Sequence, residues 1–300
     1  MSNEWRKLLM KTNELLALFP KASLQDKPSQ DSQKVSLRLD QQHWLVLATE
    51  DLTDREQQLL ALLTEKESVF SQNPWYRYLV SESEETLPHE VEALQFIHCH
   101  LFHYEAESIS AWLDMMRTLL TNKVAYFQTS PQDYIFVLDQ GQQLAVKDLL
   151  RDVLSAVEYD FNLRLAVLIG QVWPRSVKDE LPQLYQAENS LFTQWLNRYQ
   201  QSLALPFSQL FLWGLDEAKD TLLPLKRRLH QLIEGQEQLT EIILALWENG
   251  AVVTKAAQQL YIHRNTLQYR LDKWEELTGL QLKELTDLSL CYHIILKDLF

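Results

Sequence analysis

Residues 239–280 read LTEIILALWENGAVVTKAAQQLYIHRNTLQYRLDKWEELTGL, and this stretch decides how the C-terminal part of the chain folds. Apolar residues recur at helical spacing in its first part: Ile242, Ile243, Leu246 and Trp247. Asn249-Gly250 follows, where a helix commonly ends on a residue with positive φ. The pattern therefore predicts a first helix that ends at this pair.

A short second helix and a turn are predicted next. Thr254 is expected to cap the short helix, because a threonine side chain can accept a backbone N–H bond at a helix start. Ala256 and Ala257 are small enough to let two helices cross closely. Tyr261 and Ile262 are expected to form the turn, with Ile262 in the core.

A third helix is predicted over Arg264–Thr278, with His263 as its N-cap and Gly279 at its end. A rotation of about 100° per residue places three apolar side chains on one stripe that faces the core. These are Leu267, Leu271 and Trp274. The opposite face is thereby fixed, and its N-terminal turns are polar.

Such a polar face is typical of a recognition helix, whose N-terminal turns enter the major groove of DNA. The side chains expected to reach base edges are Arg264, Asn265, Gln268 and Tyr269. Those better placed for phosphates or for helix capping are Thr254, Lys255, His263, Thr266, Arg270 and Lys273. The alternative is the solvated surface of a small helical bundle. DNA binding is favoured because the acids Asp272 and Glu276 come only later on this face.

The chain carries a formal net charge of −13, which taken alone opposes nucleic-acid binding, because cationic side chains supply most nonspecific affinity. From Thr221 to the C-terminus, however, nine basic residues stand against ten acidic ones, so most of the acid lies in the front part. Between Thr254 and Lys273, four basic residues are opposed by Asp272 alone. The predicted helix-turn-helix is therefore locally cationic.

The stretch LWENGAVVTKAAQQL, followed by IHRNTLQYRLDKWEELTGLQL, closely resembles the C-terminal helix-turn-helix of the PucR/CdaR family of bacterial transcription regulators. The resemblance covers about the last sixty residues. It implies a sequence-specific regulator that binds double-stranded operator DNA and controls metabolic or transport genes. Because one such motif buries little surface, we expect a homodimer on two half-sites, with a small-molecule effector as a candidate further partner.

Residues 90–200 alternate strand-like and helix-like segments in the order βαββαβ. This order predicts a ferredoxin-like domain, with two helices on one face of an antiparallel sheet. The region is similar to the degenerate GGDEF-like domain that precedes the helix-turn-helix in such regulators. Where an active diguanylate cyclase has Gly-Gly-Asp/Glu-Glu-Phe, this chain has Ser130, Pro131, Gln132, Asp133 and Tyr134. We therefore expect no enzyme activity, no catalytic residue and no cofactor.

The front region, residues 1–89, is a candidate for sensing or dimerisation. Its segments KVSLRL and HWLVLA predict a β-hairpin. A helix is predicted over Asp51–Leu63, where Thr53 is a suitable N-cap and Glu56 follows at capping-box spacing.

Four regions make up the predicted α+β multidomain fold: residues 1–89, the degenerate GGDEF-like domain 90–200, a helical linker 201–238 and the all-α helix-turn-helix domain 239–300. The N-terminus lacks the features of a signal peptide, and the longest apolar run, LRLAVLIGQVW, is too short to cross a bilayer. The two distant cysteines fit a reducing compartment. We expect a cytoplasmic protein with no membrane partner.

The cluster IHCHLFHYE contains several metal-ligand side chains: His98, Cys99, His100 and His103. As a strand it places His98 and His100 on one face and the other two on the opposite face, so no metal site is expected. As a helix it would gather His100, His103 and Glu107 on one side.

Two other functions remain open at this stage. One is a protein-binding adaptor that uses the helical domain as an interface, suggested by the acidic chain and its nine tryptophans. The other is a nucleotide-processing enzyme of the GGDEF type.

Overall fold

The computed structural model describes residues 17–25, 29, 31, 34–38, 44–57, 72–81, 86–141 and 145–296. The chain divides into two compact units, Met1–Asn73 and Pro74–Phe300. The finer domain boundaries expected from the sequence stay predictions. Among the described residues, no helix has the length and apolar character needed to span a membrane.

The first unit contains a small antiparallel sheet of three strands, β1 (Ser23–Gln25), β2 (Lys34–Arg38) and β3 (Trp44–Ala48). Strand β3 lies in the centre and pairs with both neighbours. Its side chains Leu45 and Leu47 pack with Leu52 in a local hydrophobic core. The predicted β-hairpin is confirmed as the β2–β3 pair.

A short 3-10 helix, Thr49–Asp51, follows this sheet, and the helix predicted from Asp51 begins at Asp54 instead, with Thr53 as its cap. The Thr53 backbone N–H donates to Glu56 Oε2 at 2.8 Å, and the Glu56 backbone N–H donates to Thr53 Oγ1 at 3.3 Å. This reciprocal pair is a capping box, which satisfies two backbone donors at a helix start. Residues 54–57 are helical, and the rest of the predicted helix lies outside the described residues.

The second unit is built on a five-stranded sheet with the order β5-β6-β4-β7-β8. Its first elements are α1 (Pro74–Leu79), β4 (Ala93–His103), α2 (Ala106–Leu119), β5 (Lys123–Gln128), β6 (Asp133–Asp139), α3 (Val146–Phe161), β7 (Arg164–Pro174), α4 (Leu181–Arg198) and β8 (Leu203–Pro206). The neighbouring pairs among β4 to β7 are antiparallel. The predicted βαββαβ order from β4 to β7 is thus confirmed.

Helices α2 and α3 cover one face of this sheet. Side chains that alternate along the strands, including Ile97, Phe136 and Val167, share a core with Trp112 of α2 and Leu150 of α3. A period of two is what a half-buried strand requires. The prediction of two helices on one face is therefore confirmed.

The fifth strand, β8, corrects the prediction that residues 201–238 are entirely helical. Leu203–Pro206 pairs in parallel with β7, from Ala166↔Leu203 to Ile169↔Pro206. Such a short apolar segment has no measurable period, so its pattern cannot separate strand from helix. Pro206 is tolerated because it ends a strand at the sheet edge, where no further ladder donor is needed.

Helices also cover the other face of the sheet. After α4 these are α5 (Phe207–Glu217), α6 (Lys219–Glu234), α7 (Leu239–Glu248), α8 (Val253–Gln259), α9 (Arg264–Thr278) and α10 (Leu285–Ile295). One hydrophobic core runs from Phe96 and Leu168 of the sheet to Ile243 and Leu271 of the last helices. The C-terminal helices are therefore packed onto the rest of the second unit.

The histidine cluster lies on β4, which confirms the strand prediction. His98 is buried, stacks on Tyr185 at 5.5 Å between ring centroids and has its Nε2 3.5 Å from Glu188 Oε2. Burial raises the pKa of Glu188, although His98 and Trp173 oppose this shift. Gly170 leaves room for the carboxylate, because a Cβ there would collide with Glu188 Oε2.

Alanine substitutions of Gly279 and Gly250 test how closely the end of α9 packs against the sheet. Both have a positive φ, +70° and +60°, so alanine at either position is strained by about 1 kcal/mol. A Cβ at Gly279 would also lie 2.8 Å from Val172 Cγ2, whereas one at Gly250 would meet no described atom within 4 Å. We expect Gly279→Ala to lower the free energy of unfolding by about 1–3 kcal/mol more than Gly250→Ala.

Urea denaturation of the two variants measures this difference. Equal losses would mean that β7 moves aside at no cost and that this contact does not fix the position of α9.

Candidate nucleic-acid interface

Helix α7 ends at a turn that the Asn249-Gly250 pair predicts. The Ala251 N–H donates to the Leu246 carbonyl at 2.8 Å, and Gly250 has a φ of +60°. Ala251 also has a positive φ, of 62°. These bonds satisfy carbonyls at the helix end and direct the chain into α8.

Helix α8 begins two residues earlier than the sequence predicts, so the expected N-cap role of Thr254 is wrong. Val252 is the N-cap, and its carbonyl accepts from the N–H groups of Lys255 at 3.0 Å and Ala256 at 3.1 Å. The Val252 carbonyl therefore forms the first hydrogen bonds of the helix, and no side chain caps it. Thr254 lies inside that turn with its side chain exposed.

The turn between α8 and α9 lies at Tyr261 and Ile262, as the sequence predicts, but Ile262 lies at the edge of the core and is not fully buried. Tyr261 has a φ of 55° and is 96% exposed, while Ile262 is half-buried and packs against the core. The Ile262 N–H donates to the Ala257 carbonyl at 3.0 Å. Ala256 and Ala257 are buried, which allows α8 to approach its neighbours closely.

Helix α9 has the ends that the sequence predicts. His263 is its N-cap, and its Nδ1 accepts from the Asn265 backbone N–H at 3.2 Å. Gly279 ends the helix, and its N–H donates to the Glu275 carbonyl at 2.7 Å. The apolar stripe is buried as expected: Leu267, Leu271 and Trp274 are each at most 2% exposed.

The outward face of α9 carries the side chains predicted to read bases. Arg264, Asn265 and Tyr269 are exposed, and Gln268 is partly exposed. The Gln268 side-chain amide donates to Asp272 Oδ1 at 2.5 Å, one turn further along the helix. The four residues therefore share one accessible surface at the N-terminal turns of α9, and we call this surface the α9 face.

The predicted phosphate-binding residues are distributed around this surface. Thr254, Lys255 and Thr266 are exposed on α8 and α9. The Lys273 ammonium lies 4.8 Å from the centre of the Tyr269 ring, and its contact with Tyr269 raises the pKa of Lys273. Such a cation–π contact holds the ammonium beside the α9 face.

Arg270 has a different environment from the one that the sequence suggests. Its guanidinium donates to Gln238 Oε1 at 2.7 Å and lies 3.5 Å from Glu237 Oε1. Arg270 is therefore partly buried against the start of α7. The local sequence pattern could not predict this contact, because Gln238 and Glu237 lie 32 and 33 residues before Arg270 in the chain.

Two further contacts of the helix-turn-helix were missed at the sequence level. The Gln171 side-chain amide of β7 donates to the Thr278 carbonyl at 2.5 Å and to the Val172 carbonyl at 3.0 Å. Trp247 stacks on Tyr292 with ring centroids 4.2 Å apart and remains 41% exposed. Helical spacing alone placed Trp247 with the core residues, but it lies at the edge of their stripe.

The two faces of α9 differ in a way that substitutions can measure. Leu267→Ala removes a fully buried side chain, and we expect it to lower the free energy of unfolding by about 2–5 kcal/mol. Asn265→Ala changes an exposed side chain on the opposite face, and we expect a change within about 0.5 kcal/mol. Thermal or urea unfolding of both variants is the measurement. A large loss for Asn265→Ala would contradict the assignment of faces.

Comparisons with known proteins identify what this arrangement resembles. Residues 239–294 match the PucR C-terminal helix-turn-helix domain. The chain is 28% identical over 286 residues to a leucine-rich protein of Streptococcus dysgalactiae subsp. equisimilis, covering 95% of this chain and 99% of that protein. It is 30% identical over 241 residues to protein YxkF of Bacillus subtilis, covering 76% of this chain and 75% of YxkF.

A third relative carries a functional name. The chain is 33% identical over 100 residues to the carbohydrate diacid regulator of Escherichia coli, covering 33% of this chain and 26% of that regulator.

Proposed function

We propose that this chain is a transcriptional regulator of the PucR/CdaR type, in keeping with the match of residues 239–294 to the PucR C-terminal helix-turn-helix domain, and that it reads operator DNA with the α9 face. The observation that carries the proposal is the two-sided character of α9. Its back is buried in the core, while Arg264, Asn265, Gln268 and Tyr269 stand together on the accessible side of its first turns.

The chemistry of the α9 face suits the edges of base pairs. A guanidinium such as that of Arg264 can donate two bonds to guanine, and the amides of Asn265 and Gln268 can bond adenine at both N6 and N7. Two helical turns rise about 11 Å, which is close to the width of the major groove. The N-terminal turns of α9 therefore match the groove in both size and bonding groups.

Lys255, Thr266 and Lys273 are proposed to contact phosphates on either side of the groove. Phosphate contacts fix the register of a protein on the duplex but carry little sequence information. Arg270 can contact a phosphate only if it first releases Glu237 and Gln238. Thr254 and His263 lie at the starts of α8 and α9, where backbone N–H groups also favour an anion.

A homodimer is proposed as the DNA-binding form. One helix-turn-helix motif covers one half-site, and two copies related by a two-fold axis address half-sites about one turn of DNA apart. The proposed targets are metabolic or transport genes, in keeping with the name of the related carbohydrate diacid regulator. A retained complex of two chains per operator supports this form, and a complex with one chain contradicts it.

Selection of binding sites from random duplexes with the full chain tests the proposal. On the selected operator, we expect Arg264→Ala and Asn265→Ala each to weaken binding by about 1–3 kcal/mol and to relax preference at one base position. Glu241→Ala, an exposed change on α7, serves as the control and is expected to bind like the wild type.

Lys255→Ala is expected to behave differently on the same operator. It removes a phosphate contact, so binding weakens on all sequences and the salt dependence falls by about one unit of slope. Retention of full affinity by the Arg264 and Asn265 variants would refute base reading by the α9 face. A protein that retains no duplex at all would favour the adaptor function.

A further inference from the structure

A cavity of about 440 Å³ lies between the sheet and the C-terminal helices. Gln95 of β4 and Gln171 of β7 line it on the sheet side, and Glu276, Thr278 and Glu284 line it on the side of α9 and α10. Its volume is in the range of sites that take small molecules. Nothing in the proposed DNA contacts uses this cavity, because the α9 face lies at the other end of the helix.

One buried group at the cavity lacks a bonding partner. Gln171 is 1% exposed, and its amide nitrogen bonds the carbonyls of Val172 and Thr278. Its amide oxygen has no hydrogen-bond partner among the described residues. A buried acceptor of this kind favours a ligand that supplies an N–H or O–H donor.

The charged side chains around the cavity indicate which charge a ligand would carry. The acidic side chains that line it are Asp148, Glu275, Glu276, Glu284 and Asp287, and the basic ones are Lys147 and Arg151. Arg151 is already paired with Asp148 at 2.7 Å. The cavity therefore has a surplus of negative charge, which raises the local concentration of cations.

Besides Asp148, two of the five carboxylates have partners within the protein, which leaves Glu276 and Glu284 available to a ligand. Asp287 accepts from the Gln281 backbone N–H at 2.9 Å, and Glu275 accepts from the Gln281 side chain at 2.8 Å. Glu276 and Glu284 are exposed at the rim. The helix start of α3, which by itself favours an anion, already carries the carboxylate of Asp148 in its first turn.

We propose that this cavity binds a small organic cation with amine donors. Its amine groups would bond the Gln171 oxygen and the rim carboxylates Glu276 and Glu284. Because the ligand would join β7 to the end of α9, it would bias the position of the recognition helix. This regulatory consequence rests on the proposed DNA-binding function, whereas binding of the cation does not.

Isothermal titration of the full chain without DNA tests the proposal. The probes are putrescine, agmatine and spermidine, and two further four-carbon compounds match putrescine without its positive charge: neutral 1,4-butanediol and anionic succinate. We expect at least one amine to bind the wild type, and neither the diol nor succinate to bind. Absence of binding by all three amines, or equal binding of the diol or succinate, would overturn the proposal.

Matched charge variants locate the site. Glu276→Gln combined with Glu284→Gln is expected to weaken amine binding by about tenfold or more, because two charge-assisted bonds are lost. Asp220→Asn combined with Glu241→Gln removes the same charge at exposed positions outside the cavity, and is expected to bind like the wild type. Equal weakening by both pairs would indicate nonspecific charge attraction and overturn the assignment.

A Gln171→Met variant tests the buried acceptor, with its unfolding transition measured first to establish that it folds. Weaker amine binding by the folded variant supports the assignment, and unchanged binding contradicts it. Operator affinity is then measured with and without the bound amine. Weaker operator binding by Asn265→Ala with amine binding intact separates the two proposals, since each has its own readout.

Discussion

Burial of one side of α9 is the constraint on which the rest of the C-terminal architecture depends. Leu267, Leu271 and Trp274 are sealed in the core, so the helix cannot rotate without exposing them. Their loss to solvent would cost several kcal/mol, at about 1.5–3 kcal/mol for each large apolar side chain. The polar residues on the opposite side are thereby held outward in one orientation, which is the preorganisation that groove reading needs.

The acidic character of the chain is compatible with this surface because charge acts locally. At physiological salt, exposed charges more than about 8 Å apart are largely screened. Lys255 and Lys273 lie beside the α9 face, where Asp272, which accepts from Gln268, is the nearest acid, and Glu276 lies one turn further along the helix. Under the proposed function, an acidic front region would also discourage nonspecific attachment to nucleic acid, and affinity would come mainly from the contacts of α8 and α9.

The features that the sequence predicted correctly are those set by near neighbours in the chain. The stripe of α9, the His263 cap, the Gly279 end and the βαββαβ order all follow from local periodicity and local backbone needs. The features that it could not predict depend on distant partners. Strand β8 forms only because β7 offers an edge, and Arg270 turns away because Gln238 lies beside it. The prediction of Thr254 as N-cap failed for a different reason. Val252 starts the helix through its backbone carbonyl alone, and a cap without a side chain leaves no mark in the sequence.

The junction of β7 and α9 contains a buried polar contact because the end of a helix needs hydrogen-bond donors. The carbonyl groups at the end of a helix need donors, and Gln171 supplies one to Thr278 from the neighbouring strand. Gly279 removes the side chain that would otherwise press on Val172. The junction therefore depends on the hydrogen bond from Gln171 to Thr278 and on the absence of a side chain at Gly279. Under the proposed function, a ligand in the adjoining cavity would act on α9 at this end, away from the α9 face.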